Sequence, residues 1–369
     1  IRDRSKTLRC LMSEDIFSQF FNLFNNDESN VNWELAKQIN NHITKDEESI
    51  PFELSNNEIN YEQIFRVIEL KSEELRTNGL KPIEITFLTP KEYGQWFIES
   101  IKHFNFENIE SPELSLFGGI GGNNMKSSIF GMQFGNLAGL LGKFSWGLSQ
   151  FGLILPQSAT LGINQKNFNA KITSFEANEN DLTLGLFAIE YTTLCLGNYS
   201  QPFENIMNTL TKSSEEMIEN LKDLNFDMNP EAINNPNDMF ANISEVEGID
   251  PSKIFENIAA PLSFYRSVIK QKSKDLGILQ DESIFDLLMD LSFSSYESPT
   301  KDIETKISEL DNYSDNFLDY LVDSKSTFSI EDILGNSDLI PTIDELYDPI
   351  NWATPVSYTH LRAHETGYN

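Results

Sequence analysis

The stretch that decides the fold lies at residues 180–195 and reads NDLTLGLFAIEYTTLC. Asn180 and Asp181 are residue types that begin helices, because their side chains accept hydrogen bonds from the unpaired amides of a first turn. Apolar side chains then recur at helical spacing, which predicts a helix. Glu190 is the one charged residue within that apolar run.

Helices are also predicted on the N-terminal side of this stretch. Residues 31–39 and 61–75 carry apolar side chains at helical spacing. Thr89 and Glu92 have the spacing of a capping box, with proline between them at the first helical position. These signals predict three helices before the central one.

Strand signals are few. Residues 83–87 alternate between apolar and polar types, which allows one short strand, and residues 161–175 can supply one or two more. The acidic segment 298–332 is expected to be helical with a solvated face. The predicted fold class is therefore mainly α with few short strands.

A glycine-rich segment at residues 118–128 is interpreted as a flexible joint. It separates an N-terminal helical region, 12–117, from core helices and an acidic C-terminal region, 129–355. A phosphate-binding loop is the alternative. It is disfavoured because Met125 stands where a Walker loop needs glycine, and Asn124 stands where a dinucleotide fingerprint needs one.

Residues 129–156 are apolar and carry a stripe of glycines on one helical side. Such stripes let helices approach closely, and they also occur in transmembrane dimers. Polar residues interrupt the run, so a buried core hairpin is expected and membrane insertion is not. The glycines of the stripe are Gly131, Gly135, Gly139 and Gly142.

Composition narrows the classes of function. The 369 residues include 27 Lys and Arg against 57 Asp and Glu, a formal charge of −30. Such a surface repels nucleic-acid backbones and anionic lipid head groups, so neither partner is expected. A hydrophobic content of 39% argues against global disorder. Because Cys10 and Cys195 are the only cysteines, a reducing, cytoplasmic location is expected.

Both ends are expected to be foreign to the folded protein. Residues 1–11 are basic and begin with isoleucine, so Met12 is the expected start. Residues 356–369 resemble one reading frame of a sequencing adapter. His360 and His364 are therefore left out of any metal-site argument.

Several short motifs follow one another along residues 31–350. They are VNWELA at 31–36, GMQFG at 131–135, GLILP at 152–156, Asn169, the helix at 181–194, DLIPT at 338–342 and LYDP at 346–349. In order and spacing this series resembles a zincin-like metallopeptidase family, also labelled hydrolases, found mainly in actinobacteria. The resemblance implies a mostly helical fold around one zinc-binding helix, with zinc as the cofactor.

The expected zinc motif is degenerate. A zincin helix carries His-Glu-x-x-His, in which two histidines bind zinc and the glutamate polarises the attacking water. The matching residues, 189–193, read Ile-Glu-Tyr-Thr-Thr. Ile189 cannot ligate a metal, Thr193 offers a weak neutral hydroxyl, and residues 260–265 offer no third ligand. Glu190 is thus the candidate catalytic residue, with no metal ligand and no cofactor predicted.

Glu190 has two interpretations. It is either a general base, active or relic, or a helix glutamate paired with a nearby Lys, Arg or tyrosine hydroxyl, and the second is favoured because isolated acids rarely mark a site. His42 and His103 are interpreted as surface or capping groups. Cys195 is interpreted as a small buried hydrophobic residue, with a nucleophile as the alternative.

Three hypotheses of function follow. The first is a protein of zincin-like descent that has lost catalytic zinc and serves as a binding or scaffold module for an unknown protein or peptide. The second is an active hydrolase that uses Glu190 with unidentified oxygen-type metal ligands. The third and weakest is a membrane-associated role for residues 129–156.

Overall fold

The computed structural model describes residues 31–47, 61–75, 83–104, 106, 122–156, 160–210, 212, 252–291, 301–323 and 328–353. Within these residues the fold is mainly helical, as predicted, with a two-stranded sheet. The expected foreign ends lie outside the described residues. The helices are α1 (Trp33–Ile43), α2 (Tyr61–Lys71), α3 (Pro90–Ile101), α4 (Gly122–Phe144), α5 (Gln165–Thr173), α6 (Glu179–Leu196), α7 (201–210), α8 (Ser252–Asp275), α9 (Ser283–Met289), α10 (Lys301–Asp323), α11 (Ile330–Leu334) and α12 (Ile343–Tyr347), and the strands are β1 (Glu84–Leu88) and β2 (Thr160–Asn164).

Helix α3 begins where its capping box predicts. The Thr89 hydroxyl accepts a hydrogen bond from the Glu92 amide at 3.4 Å, and the Glu92 carboxylate accepts one from the Thr89 amide at 3.0 Å. Pro90 occupies the first helical position, where its missing N–H costs nothing. The local sequence alone therefore sets this helix start.

The two strands pair in parallel, from Glu84 opposite Thr160 to Leu88 opposite Asn164. The alternation at residues 83–87 thus predicted β1 correctly. The second strand allowed within residues 161–175 is wrong, because α5 begins directly after β2. Phe168 and Ile172 stand one helical turn apart and are both buried, and this spacing favours a helix.

The glycine stripe of α4 lies against α1 and the start of α3, as a close-packing stripe predicts. A methyl group placed on Gly135 would lie 2.7 Å from the carbonyl oxygen of Ala36, well inside contact distance. On Gly142 it would lie 2.3 Å from the carbonyl oxygen of Pro90. The stripe therefore serves packing inside the protein. Every helix in the described part of the chain is too short or too polar to cross a bilayer.

Replacing Gly135 by leucine is expected to destabilise the fold by about 3 kcal/mol or more, because α1 must move away from α4. Asn136→Leu is the matched control, since it adds the same side chain one position further along, at a partly exposed site. Urea denaturation of both variants measures the difference. Equal stability of the two variants would show that the stripe does not set the distance between these helices.

The flexible joint predicted at 118–128 is wrong for residues 122–128, which form the first turns of α4. Residues 118–121 lie outside the described part. The start of α4 is held by tertiary contacts, since the Asn32 amide donates to the Ser127 carbonyl at 2.8 Å and Gly131 packs on the Asn32 backbone. Tertiary packing thus outweighs the weak helix propensity of a Gly- and Asn-rich segment.

Within the acidic segment 298–332, residues 301–323 form α10, as predicted, with one solvated and one buried face. Ile307, Leu310 and Phe317 are among its buried residues. Phe317 meets Phe264 of α8 edge to face, with ring centroids 5.8 Å apart. Helix α8 therefore lies between α10 and α6, where it contacts the central helix.

Candidate functional site

Glu190 lies in the middle of α6, the most buried helix of the described part. Asn178, rather than the predicted Asn180 and Asp181, caps this helix, since its side chain accepts hydrogen bonds from both of their amides. From Gly185 to Leu196 every residue is buried. Glu190 itself is 1% exposed, so its carboxylate must be satisfied by the protein interior.

Both oxygens of the Glu190 carboxylate accept hydrogen bonds from the chain at residues 148–149. Oε2 accepts from the Leu148 amide at 3.1 Å, and Oε1 accepts from the Ser149 amide at 3.1 Å. The Ser149 hydroxyl also donates to Oε1. These amides stand at the start of a 3-10 turn, Ser149–Phe151, so Glu190 caps this turn from another helix.

Gly147 packs directly on the same carboxylate. A methyl group placed on this glycine would lie 2.1 Å from Glu190 Oε1 and 2.4 Å from Cδ. Any side chain at residue 147 would collide with a carboxylate that its hydrogen bonds hold in place. The backbone of residues 147–149 therefore packs directly against the Glu190 carboxylate.

Further buried polar groups hold the turn at residues 145–151. The Asn164 amide group donates to the Gly142 carbonyl at 2.7 Å and to the Ser145 carbonyl at 2.9 Å. Asn167 also donates to the Ser145 carbonyl, at 2.9 Å. These bonds satisfy carbonyls at the C-terminal end of α4, which have no partner within the helix. The turn is thus fixed from β2, α5 and α6 together.

Arg266 of α8 reaches the same turn and ties it to the C-terminal helices. Its guanidinium is 2% exposed and donates to the Gln150 carbonyl, to the Met289 carbonyl and to the Asp311 carboxylate, the last at 3.0 Å. Met289 is the last residue of α9, where a cation also offsets the helix dipole. Arg266 was not among the predicted site residues, although a single arginine in the apolar run 258–269 is typical of a buried, paired cation.

Lys171 of α5 approaches the same end of α9. Its ammonium donates to the Asp290 carbonyl at 3.1 Å. Burial, with a smaller contribution from the positive charge of Arg266, lowers the pKa of Lys171 to about 8. Arg266 and Lys171 therefore bond two neighbouring carbonyls at the end of α9, those of Met289 and Asp290.

Burial controls the protonation of Glu190. Loss of water raises the pKa of its carboxyl group to about 7, although hydrogen bonds from Ser149 and Leu148 act in the opposite direction. Burial, and then the negative charge of Glu190, raise the pKa of the Tyr93 hydroxyl well above its ordinary value. The carboxyl therefore changes protonation near neutral pH, while Tyr93 stays neutral.

The Glu190 contribution to stability is expected to fall as pH rises from about 4.5 to about 7. In this window the unfolded carboxyl has lost its proton and the folded one still holds it, so the native state binds more protons. The contribution, on the order of 3 kcal/mol, is fully present below pH 4.5 and lost above 7.

The measurement compares wild type with Glu190→Ala by urea denaturation at about pH 5 and about pH 8. Alanine does not titrate, and all other acids are shared, so their effects cancel in the difference. The gap in stability between the two proteins should be larger at the lower pH. A gap that grows towards the higher pH would mean that the folded carboxyl has a lowered pKa.

The residues at the expected zinc-ligand positions do not fit a zinc ion. Ile189 is fully buried and has no donor atom, and the Thr193 hydroxyl donates to the Ile189 carbonyl at 2.8 Å within the helix. Residues 260–265 lie buried in α8 without a histidine or a carboxylate. Throughout the described residues, no group of three or more His, Cys, Asp or Glu side chains is placed to hold a metal.

The other candidate residues lie as predicted. His42 and His103 are exposed near the ends of α1 and α3, so both are surface groups. Cys195 is 2% exposed in the last turn of α6, which agrees with a small buried side chain. The interpretation of Glu190 as paired with Lys, Arg or a tyrosine hydroxyl is wrong, because its hydrogen-bond partners are the amides of Leu148 and Ser149 and the Ser149 hydroxyl.

Comparison with family models, with curated proteins and with solved structures finds no match to this chain. The fold and the site define the class of protein. It is a mainly helical protein whose central helix carries a buried carboxyl group, and this group caps a neighbouring turn.

Proposed function

We propose that this chain is a non-catalytic binding or scaffold module, built on a zincin-like helical fold that no longer holds zinc. The observation that carries the proposal is the use of both Glu190 oxygens as acceptors for residues 148 and 149. A general base needs an oxygen within hydrogen-bond reach of the proton that it takes. An oxygen that is bonded to the backbone and 1% exposed lacks that reach.

The buried polar contacts around Glu190 and the negative charge of the chain both support a binding role. The polar groups around Glu190 tie α4, α6 and α8 into one rigid unit, and such a unit presents its outer helices in fixed positions. A formal charge of −30 disfavours nucleic acid as a partner, so the partner class is a protein or a peptide. A cytoplasmic location is part of the same proposal.

An active hydrolase is the second candidate, and one observation favours it. Burial raises the pKa of the Glu190 carboxyl group to about 7, and catalytic general acids and bases often have a pKa close to neutral pH. The Glu190→Gln variant separates the two functions, since it removes the titrating group and keeps the size of the side chain. Loss of a measured hydrolysis in this variant would support the enzyme, whereas unchanged activity would reject Glu190 as the base.

Removal of metal is expected to leave the protein unchanged. A bound ion stabilises the folded state by mass action, so a chelator lowers the melting temperature of a protein that depends on one. For this chain we expect the same melting temperature with and without chelator, and zinc far below one ion per chain. Stoichiometric zinc that is lost together with several degrees of stability and with peptide cleavage would overturn the proposed function.

A further inference from the structure

Two exposed tyrosines meet on the outer side of the C-terminal helices. Tyr313 of α10 is 42% exposed and Tyr347 of α12 is 52% exposed. Their rings pack edge to face, with centroids 4.5 Å apart and an interplanar angle of 90°. Ile350, which is 66% exposed, follows Tyr347 by three residues. Neighbouring exposed aromatic and aliphatic side chains of this kind are typical of interaction surfaces.

Buried residues anchor the segment that carries Tyr347 and Ile350. Leu346 and Trp352 are each 1% exposed, and the Trp352 ring packs edge to face on Phe317 with centroids 5.1 Å apart. The Trp352 indole also donates to the Leu339 carbonyl at 3.0 Å. The chain segment that carries Tyr347 and Ile350 is therefore packed against α10 by a buried tryptophan.

Carboxylates surround the tyrosines. Glu309 lies one helical turn before Tyr313, and Asp344 and Asp348 flank Tyr347; all three are exposed. The described segment 328–353 contains six acidic residues and no Lys or Arg. Lys306 lies 3.9 Å from Glu309, but both side chains are about half exposed, and such a pair is weak. The surface is therefore apolar at its centre and negative at its rim.

We propose that this surface, formed by Tyr313, Tyr347, Ile350, Glu309, Asp344 and Asp348 and called here the tyrosine surface, binds a basic segment of a partner protein. The inference rests on the proposed binding function and names its partner by chemistry. Lys or Arg side chains stack on tyrosine faces by cation–π attraction and pair with the carboxylates at the rim. Aliphatic side chains of the same segment cover Ile350.

Charge decides between possible occupants. A second copy of this chain would bring its own carboxylates against this rim, and like charges at an interface are costly. Nucleic acid and anionic lipid are repelled for the same reason. A basic peptide gains both from long-range attraction and from contact with the rings, so it is the occupant that the surface favours.

The test measures binding of two fluorescent peptides of equal length to the full chain at low and moderate salt. One peptide alternates Lys or Arg with Leu, and the other has Glu in place of each cation. We expect the basic peptide alone to bind. The Tyr313→Ser/Tyr347→Ser double variant should weaken binding at least about tenfold, because aromatic anchors dominate such interfaces. Asp344→Asn/Asp348→Asn should weaken it and reduce its dependence on salt.

Val322→Ser is the matched control, because Val322 is 71% exposed on the same helix and outside the tyrosine surface. This variant should bind as wild type does, and circular dichroism should show all variants folded. Absence of binding, equal binding by the tyrosine variant, or a dimer that the tyrosine variant abolishes would each overturn the inference. Those outcomes leave zinc content and chelator stability untouched, so a failure here is distinct from a failure of the proposed function.

Discussion

At about pH 5, Glu190→Ala is expected to lower the free energy of unfolding by about 3 to 5 kcal/mol. The change leaves the amides of Leu148 and Ser149 without their acceptor in a buried site. The change also leaves a void in the protein core beside α6. Glu62→Gln, at an exposed position of α2, serves as the control and should change stability by less than about 0.5 kcal/mol.

Gly147 supplies a second variant that isolates the contact itself. Gly147→Ala alone should be strongly destabilising, because its methyl group would meet the Glu190 carboxylate at 2.1 Å. In a Glu190→Ala background the same change should cost far less, since the carboxylate is gone. Urea denaturation of the four proteins gives the coupling energy. Additive effects would mean that Gly147 and Glu190 are not in direct contact.

Arg266→Met should destabilise the protein by a similar amount, about 3 to 5 kcal/mol, because it removes a buried cation that three acceptors share, two of them main-chain carbonyls. Methionine fills much of the space of the arginine stem. It cannot donate, so the carbonyls of Gln150 and Met289 and the carboxylate of Asp311 lose their shared partner. The turn beside Glu190 and the end of α9 would loosen together.

Lys272→Met, on the same helix, is the control for Arg266. Lys272 pairs with Glu331 at 2.7 Å, but the Glu331 side chain is 50% exposed. Solvent screens such a pair, so its loss should cost less than about 1 kcal/mol. If Lys272→Met and Arg266→Met lowered the free energy of unfolding equally, the buried position of Arg266 would add nothing to its contribution to stability.

Local sequence signals predicted much of the fold. The capping box at Thr89 fixed the start of α3, the alternation at residues 83–87 fixed β1, and the glycine stripe predicted a close helix contact. Each of these signals acts over a few residues or over one helix face. These predictions succeed because the physical cause lies in residues that are close together in sequence. In the three cases the cause is a helix cap, the alternation of a strand and a row of small side chains.

The site could not be predicted in the same way. Two of the three partners of Glu190 are main-chain amides, 41 and 42 residues away in sequence, and backbone amides carry no residue-type signal. The residue types that matter here are Gly147, whose missing side chain makes room for the carboxylate, and Ser149, whose hydroxyl donates to it. Arg266 was visible as a lone charge in an apolar helix, but its partners come from three other parts of the chain.

The joint predicted over residues 118–128 failed at residues 122–128 for a related reason. Glycine and asparagine lower helix propensity by less than about 1 kcal/mol each. Contacts with α1, such as the 2.8 Å hydrogen bond from Asn32 to Ser127, outweigh that preference. Composition indicates the helix propensity of an isolated segment. It does not indicate which other segments will pack against it in the fold.

We propose that the Glu190 carboxylate serves as a structural acceptor rather than as a metal ligand. Anomalous diffraction at the zinc absorption edge, from crystals grown with zinc, tests it most directly. We expect no anomalous peak beside Glu190 and density for the amides of Leu148 and Ser149 within hydrogen-bond distance of its oxygens. A zinc peak at that carboxylate, with the 147–149 backbone displaced from it, would contradict the account.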